Sequence, residues 1–388
     1  MSSVSMNAEQ RQSGVNRPPA SRLLSLDVFR GATIAAMILV NNAGDEPSSY
    51  WPLQHAEWNG WTPTDLIFPF FLFIVGVSMA YSISARLKKG ASRAELLSHI
   101  LWRGLALFAI GLFLNGFPNK YILSSWRVYG VLQRIAICYV ISGILALWSK
   151  QRGWIIAVIG CLAGYWILVR YVPVPGFGVP TRDIPLLDPD RNLVAWLDRK
   201  LLAGHLYDIT RDPEGVISTI PAIATSLLGL LTGEWLRSAR SGRAKALGLA
   251  VFGVMGVAGG EIVNVWFPIN KKLWTSSFVL LTAGLALLCL AIGYWVLDVK
   301  RWRGRWSDFF HVFGMNAIAA YVFAEVMSHW LDRMSAGHGM NWQEFLYQNV
   351  FAPLARPANA SLLYAVTYVL MCWAAMWVLY RKGIFLKL

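Results

Sequence analysis

Between Gln54 and Gly76 the chain reads QHAEWNGWTPTDLIFPFFLFIVG, so His55, Glu57, Trp58, Asn59 and Asp65 run straight into an almost purely apolar stretch. Imidazole titrates near neutral pH; it can take a proton from an incoming nucleophile or carry an acyl group itself. Asn41 and Asn42 close the preceding apolar stretch and bring two amides to the same neighbourhood. Asp65 has a structural reading beside a catalytic one: an acid in a first helical turn is favoured by the macrodipole, and Thr62 before Pro63 makes an N-cap and N1 pair. Of the other histidines, His99, His205, His311, His329 and His338, none is flanked by polar residues at a helix mouth, and solvated or structural roles are expected for them.

The elements that must position these groups follow from composition. The chain of 388 residues is 56% hydrophobic and 14% charged, with 19 Trp, which is too apolar for a soluble domain to bury. Runs long enough to cross a bilayer lie at about 25–44, 63–85, 97–117, 128–149, 153–173, 215–236, 246–267, 274–297, 308–331 and 360–380. They are continuous rather than alternating, which predicts helices and not a barrel. The expected fold is an all-α polytopic membrane bundle of about ten transmembrane helices over residues 22–388, preceded by a polar, disordered cytoplasmic tail over 1–21. Cys138, Cys161, Cys289 and Cys372 all fall inside predicted spans at spacings that point to neither a metal site nor disulfides. No internal repeat is visible.

The net charge of +14 is a topology signal. With a cytoplasmic N-terminus, short inner segments carry the basic residues, as at Arg86, Lys88, Lys89 and Arg93, whereas short outer segments do not. The long outer loop from Arg170 to Arg211 is basic too, but acidic residues offset it. This places both termini on the cytoplasmic face of a bacterial inner membrane and the His55 loop on the periplasmic face. No basic stripe or base-stacking module accompanies the charge, so nucleic acid is not an expected partner. Lys271 and Lys272 fall in an outer loop, where an acidic sugar or a lipid headgroup suits them.

Several stretches carry a family resemblance: LSLDVFRGATIAAMILVNNAGD from Leu24, the His55 stretch, YGVLQRIAICYV from Tyr129, DPEGVISTIPAIATSLLGLLTGEW from Asp212 and FPINKKLWTSSFVLLTAG from Phe267. In this order they resemble the heparan-α-glucosaminide N-acetyltransferase family, especially its bacterial NagX-type members. The resemblance implies a membrane acetyltransferase that takes acetyl from cytosolic acetyl-CoA and delivers it to the amine of a glucosamine on the opposite side. It implies that His55 is the active-site histidine and that Asn41 stands with it. The chain is expected to lack the lysosomal member's N-terminal luminal domain, and Asn42 stands where that member has an aromatic residue, so a smaller amino sugar is the expected acceptor.

Such a reaction needs a conduit, because the charged nucleotide cannot cross hydrocarbon whereas an acetyl-pantetheine arm can reach through a bundle. Polar groups buried in the spans are the candidates to line it: Arg103, Gln133 and Arg134 for the cofactor, with Glu261 and Glu325. Their structural alternative is interhelical pairing, for instance Arg134 with Glu261 or Glu325. Arg30 and Asp27 are expected to form a local i,i+3 pair. On the acceptor side stand Asn42, Glu57, Trp58, Asn59, Lys271 and Lys272, with Trp58 and Trp61 able to stack on a sugar ring. No metal is expected, lipid surrounds the bundle, and a homodimer is compatible with it. A transporter of amino sugars or peptides is the alternative function, although it would normally show broken helices and a repeat. A non-catalytic scaffold leaves the polar density between Asn41 and Asp65 unexplained.

Overall fold

Apolar runs without alternation satisfy their own backbone only as helices, and helices are what forms. The computed structural model describes residues 23–117, 121–337 and 339–386; the expected tail over 1–21 and His338 lie outside them. In chain order the helices are α1 (Leu24–Asn41), α2 (Ile67–Lys88), α3 (Arg93–Gly116), α4 (Val131–Trp148), α5 (Gln151–Tyr171) and the short α6 (Leu193–Leu201). Then come α7 (Thr219–Arg237), α8 (Gly242–Asn264), α9 (Ser276–Tyr294), α10 (Arg305–Met315), α11 (Ala317–Arg333), the short α12 (Trp342–Leu346) and α13 (Pro357–Arg381). Among the described residues the only sheet is a small hairpin, Ser335–Gly337 with Met340–Asn341.

Nine helical segments among the described residues are long and apolar enough to cross a bilayer. The tenth expected span, 308–331, is not a straight helix: α10 and α11 meet at 79°. The break falls at Asn316, which leaves the helical conformation at φ −125° and ψ 41°. Its side chain is tied to the C-terminal segment, with Nδ2 donating to the Ile384 carbonyl at 3.1 Å and Oδ1 accepting from Leu386 N–H at 3.0 Å. Hydropathy carries no trace of such a tie, because the partner lies 68 residues away.

Small residues let the helices approach closely, as expected where lipid supplies no hydrophobic drive between them. On α2, a Cβ at Gly76 would sit 1.9 Å from the Ser226 carbonyl oxygen of α7. On α1, one at Gly31 would sit 1.7 Å from the Phe310 carbonyl oxygen of α10. A methyl group at either position would force its pair of helices apart.

The antiparallel path places the connecting residues 42–62, 121–130, 172–218 and 265–275 at one end, and the basic turns after α2 and α7 at the other. The first group interlocks into a polar cap. Trp58 Nε1 donates to the Leu187 carbonyl at 2.8 Å, and Gly60 N–H to the Ile269 carbonyl at 2.8 Å. Arg127 grips Asp212 through two hydrogen bonds of 2.9 and 2.7 Å. His205 Nδ1 lies 2.8 Å from the Trp126 carbonyl oxygen. His55 therefore sits in a built surface, not on a free loop.

Candidate active site

The site is assembled by the first turn before α2. Thr62 is extended, Pro63 begins a 3₁₀ turn over Pro63–Leu66, and Asp65 falls at its third position. Asp65 Oδ2 then receives the backbone N–H of Thr62 at 3.0 Å, that of Ala56 at 3.1 Å and the Thr62 hydroxyl at 3.2 Å. Its other oxygen, Oδ1, lies 2.7 Å from His55 Nδ1. The structural and catalytic readings of this aspartate thus do not compete: one oxygen caps the turn, and the other meets the histidine. The carboxylate is 1% exposed and the imidazole 48% exposed, so a fixed, buried acid orients an imidazole that reaches solvent.

Lys271, 216 residues away in sequence, completes the cluster. Its Nζ lies 3.2 Å from Asp65 Oδ1, 2.9 Å from His55 Nδ1 and 3.4 Å from His55 Nε2. Burial pushes the lysine's proton affinity below the ordinary value, while Asp65 and Glu214 pull it back up. The carboxylate can only accept, so the 2.7 Å contact with Asp65 takes the proton on Nδ1; the ammonium, which can only donate, then faces Nδ1 without a hydrogen bond, and the lone pair of His55 is on Nε2.

The Lys271 loop is itself held rigidly. Asn270 is fully buried; its Oδ1 accepts from Leu273 N–H at 2.9 Å, and its Nδ2 donates to Asn59 Oδ1 at 3.2 Å. Trp274 N–H donates to the Lys271 carbonyl at 3.0 Å. Trp274 is fully buried between Phe68 and Phe278, with ring centroids 4.9 and 5.4 Å away and edge-on geometry.

The other predicted residues are spread around this cluster. Asn41, at the end of α1, makes its side-chain contact with Glu325 of α11. Asn42 is buried and donates to the Ile38 carbonyl at 2.8 Å, closing its own helix. Glu57 and Asn59 are exposed beside His55. Trp58 is half-buried, with Arg211 5.1 Å and Lys272 5.9 Å from its ring.

A cavity of about 570 Å³ lies inside the bundle. It follows α2 from Arg86 to Phe71, about 22 Å of helix, and Asp65 stands roughly 9 Å further on. Arg30, Arg86, His99 and Arg103 are among its polar lining; Phe71, Val131 and Tyr321 line it as well. Arg103 reaches this cavity as expected, and its Nε has no hydrogen-bond partner among the described residues. Gln133 and Arg134 are not on the cavity wall. Gln133 fills the space left by Gly111 between α3 and α4.

Arg134 does not pair with Glu261 or Glu325, as one reading of the sequence anticipated. It donates to the Gly215 carbonyl at 3.2 Å and to the Ser218 hydroxyl. Glu261 is exposed on α8 and accepts from Asn264 at 3.2 Å. The Arg30–Asp27 pair is present at 2.9 Å, and Arg30 also borders the cavity. Arg86 and His99, 2.8 Å apart, line the cavity too, although nothing in the sequence sets them off as cavity groups. Their positions beside a basic turn resemble an ordinary topology signal.

Comparison with known proteins places this geometry in context. The family model described as heparan-alpha-glucosaminide N-acetyltransferase, catalytic, matches residues 22–267. The human protein named heparan-alpha-glucosaminide N-acetyltransferase is 31% identical over 433 aligned residues, covering 96% of this chain and 60% of that protein. The mouse protein of the same name is 31% identical over 440, covering 97% and 62%. The chain thus spans about 60% of the length of these relatives.

Proposed function

Because the chain belongs to the heparan-alpha-glucosaminide N-acetyltransferase catalytic family, we propose that it is an integral membrane N-acetyltransferase that moves acetyl from acetyl-CoA to the amine of a glucosamine-type sugar. The observation that carries this reading is the His55–Asp65 contact of 2.7 Å, set at one end of the bundle while a basic-lined cavity runs from the other. His55 holds its lone pair on Nε2, where it takes the proton of an acceptor amine or accepts the acetyl group. Asp65 keeps the tautomer and balances the imidazolium that forms.

The cavity fits the donor. Arg30, Arg86 and Arg103 suit the nucleotide phosphates, since guanidinium groups bind phosphate through paired charge-assisted hydrogen bonds. The unpartnered Nε of Arg103 is a donor in need of an acceptor. The apolar wall between Ile74 and Ile135 suits an uncharged pantetheine arm. When bound, the donor supplies an activated thioester. On this reading the nucleotide sits on the cytoplasmic side of an inner membrane and His55 on the periplasmic side, an orientation that the basic turns support. Glu57, Asn59 and Lys272 border the acceptor.

Protein in lipid nanodiscs given labelled acetyl-CoA and glucosamine should yield N-acetylglucosamine and free CoA. His55→Ala should bind acetyl-CoA and make no product. Uptake of glucosamine into proteoliposomes, with all label remaining on CoA, would overturn the reading in favour of transport.

A further inference from the structure

We propose that Lys271 is a catalytic residue: its ammonium neutralises the negative charge that develops on the acetyl carbonyl oxygen during transfer. The inference rests on the acetyltransferase reading above. Its basis is the position of Nζ against both nitrogens of His55, 2.9 Å from Nδ1 and 3.4 Å from Nε2. An ammonium on the Nε2 lone-pair axis would be farther from Nδ1 than from Nε2. The reverse holds, so Lys271 stands beside the ring and leaves that lone pair open. A cation 3.4 Å from the reactive nitrogen and off its lone-pair axis is within Coulombic reach of the oxygen of a carbonyl attacked there.

The step balances without an oxidant or reductant. The lone pair of the attacking nitrogen, whether His55 Nε2 or an acceptor amine beside it, forms the N–C bond to the acetyl carbon, and the carbonyl π pair moves onto oxygen. Its return breaks the C–S bond and expels the thiolate. Where Nε2 has taken the acetyl group, the amine attacks that carbonyl in turn and the C–Nε2 bond breaks; on either route the proton the amine gives up then passes through the free Nε2 and ends on the thiolate sulfur. Fixed charge aimed at such an oxygen acts without reorganising, which is why it is effective in a site sheltered from water.

Lys271 is faced by Asp65, His55, Glu214 and Lys272. Asp65 Oδ2 is occupied by Thr62 and Ala56, and Oδ1 is shared by His55 and Lys271, so the tests must separate the lysine's charge from its pairing with Asp65. Burial and Lys272 lower the lysine's proton affinity while Asp65 and Glu214 raise it, and the net shift is downward, so the ammonium sheds its proton at a lower pH than a surface lysine would.

Lys271→Met and Lys271→Arg are to be compared with the wild type for acetyl transfer and acetyl-CoA binding. Lys271→Met should lower kcat by about 10² to 10³ with acetyl-CoA binding unchanged, and Lys271→Arg should restore most of it. The alkaline limb of the wild-type kcat profile should be absent from Lys271→Met. A second measurement needs neither CoA nor acceptor: carbethoxylation of His55 by diethyl pyrocarbonate passes through the same type of oxyanion. Lys271→Met should slow it by about tenfold or more, with His205 reacting at its usual rate. Lys271→Gln, which keeps a donor toward Asp65 without the charge, replaces Met if that variant does not fold. If the wild type transfers no acetyl, the acetyltransferase reading fails and the His55 carbethoxylation rate alone decides Lys271. If the wild type transfers acetyl while Lys271→Met keeps both kcat and that rate, the role of Lys271 is overturned.

Discussion

The guanidinium of Arg134 lies 5.1 Å over the indole of Trp274, so a buried cation in α4 clamps the loop that carries Lys271. Trp274 adopts φ +53°, a left-handed conformation that a bulky residue holds only under external constraint, at about 1–3 kcal/mol. Arg134 is fully buried and anchored in turn on Gly215 and Ser218. The packed indole therefore fixes the backbone from which Lys271 projects.

Trp274→Ala should cost about 3–5 kcal/mol of stability, the usual range for a buried tryptophan, and should also reduce acetyl transfer although Trp274 does not touch His55. Thermal unfolding in detergent checks the first effect and kcat at a permissive temperature the second. Unchanged kcat in the folded variant would mean that Lys271 is placed by other contacts.

Asp65→Asn removes the acceptor that holds the Nδ1 proton and substitutes a neutral amide among buried donors. Transfer should fall at least about 10²-fold, and stability by about 1–3 kcal/mol because the N–H groups of Ala56 and Thr62 lose a charged partner. Comparing turnover with the unfolding midpoint separates the two losses.

Arg103→Met should raise the KM for acetyl-CoA about tenfold or more, since one hydrogen bond between charged groups contributes about 1.5–3 kcal/mol. Carbethoxylation of His55 should stay at the wild-type rate, because the cavity mouth and the histidine lie at opposite ends of α2. A matching loss of His55 reactivity would show that the substitution disturbs the whole bundle.

Asp198, on the short α6, is buried, and its carboxyl is pushed up to about 6 by that burial. An acid whose folded value is raised is most stabilising below its unfolded value near 3.8, and that contribution is lost as pH rises through about 6. Relative to Asp198→Asn, the wild type should lose about 1–3 kcal/mol between pH 4 and pH 7. Unfolding midpoints across that range check it; parallel pH profiles for the two proteins would contradict it.

The topology is checked by labelling. Ser48→Cys, in the connection that carries His55, should react with an impermeant thiol reagent added to spheroplasts, and Ser92→Cys, at the start of α3, should not. The reverse pattern would put His55 in the same compartment as acetyl-CoA and remove the need for a conduit.

Hydropathy determined the helical class and nearly every span, because backbone satisfaction in lipid leaves a helix as the only solution for a continuous apolar run. Local chemistry also made Asp65 legible as a cap, since Thr62, Pro63 and Asp65 lie within four residues. The pattern around His55 marked it as the candidate reactive group. Tertiary structure alone decided the rest. The bend at Asn316 depends on a chain segment 68 residues away. Lys271 meets His55 across 216 residues, and in sequence it looks like any loop cation beside Lys272. Arg134 and Gln133 look like conduit groups in sequence but lie off the cavity, Arg134 on the Gly215 carbonyl and the Ser218 hydroxyl and Gln133 in a glycine gap, whereas Arg86 and His99 look like topology charges and turn into a cavity. A buried polar side chain is defined by what surrounds it, and those neighbours come from other helices whose packing no single stretch of sequence encodes.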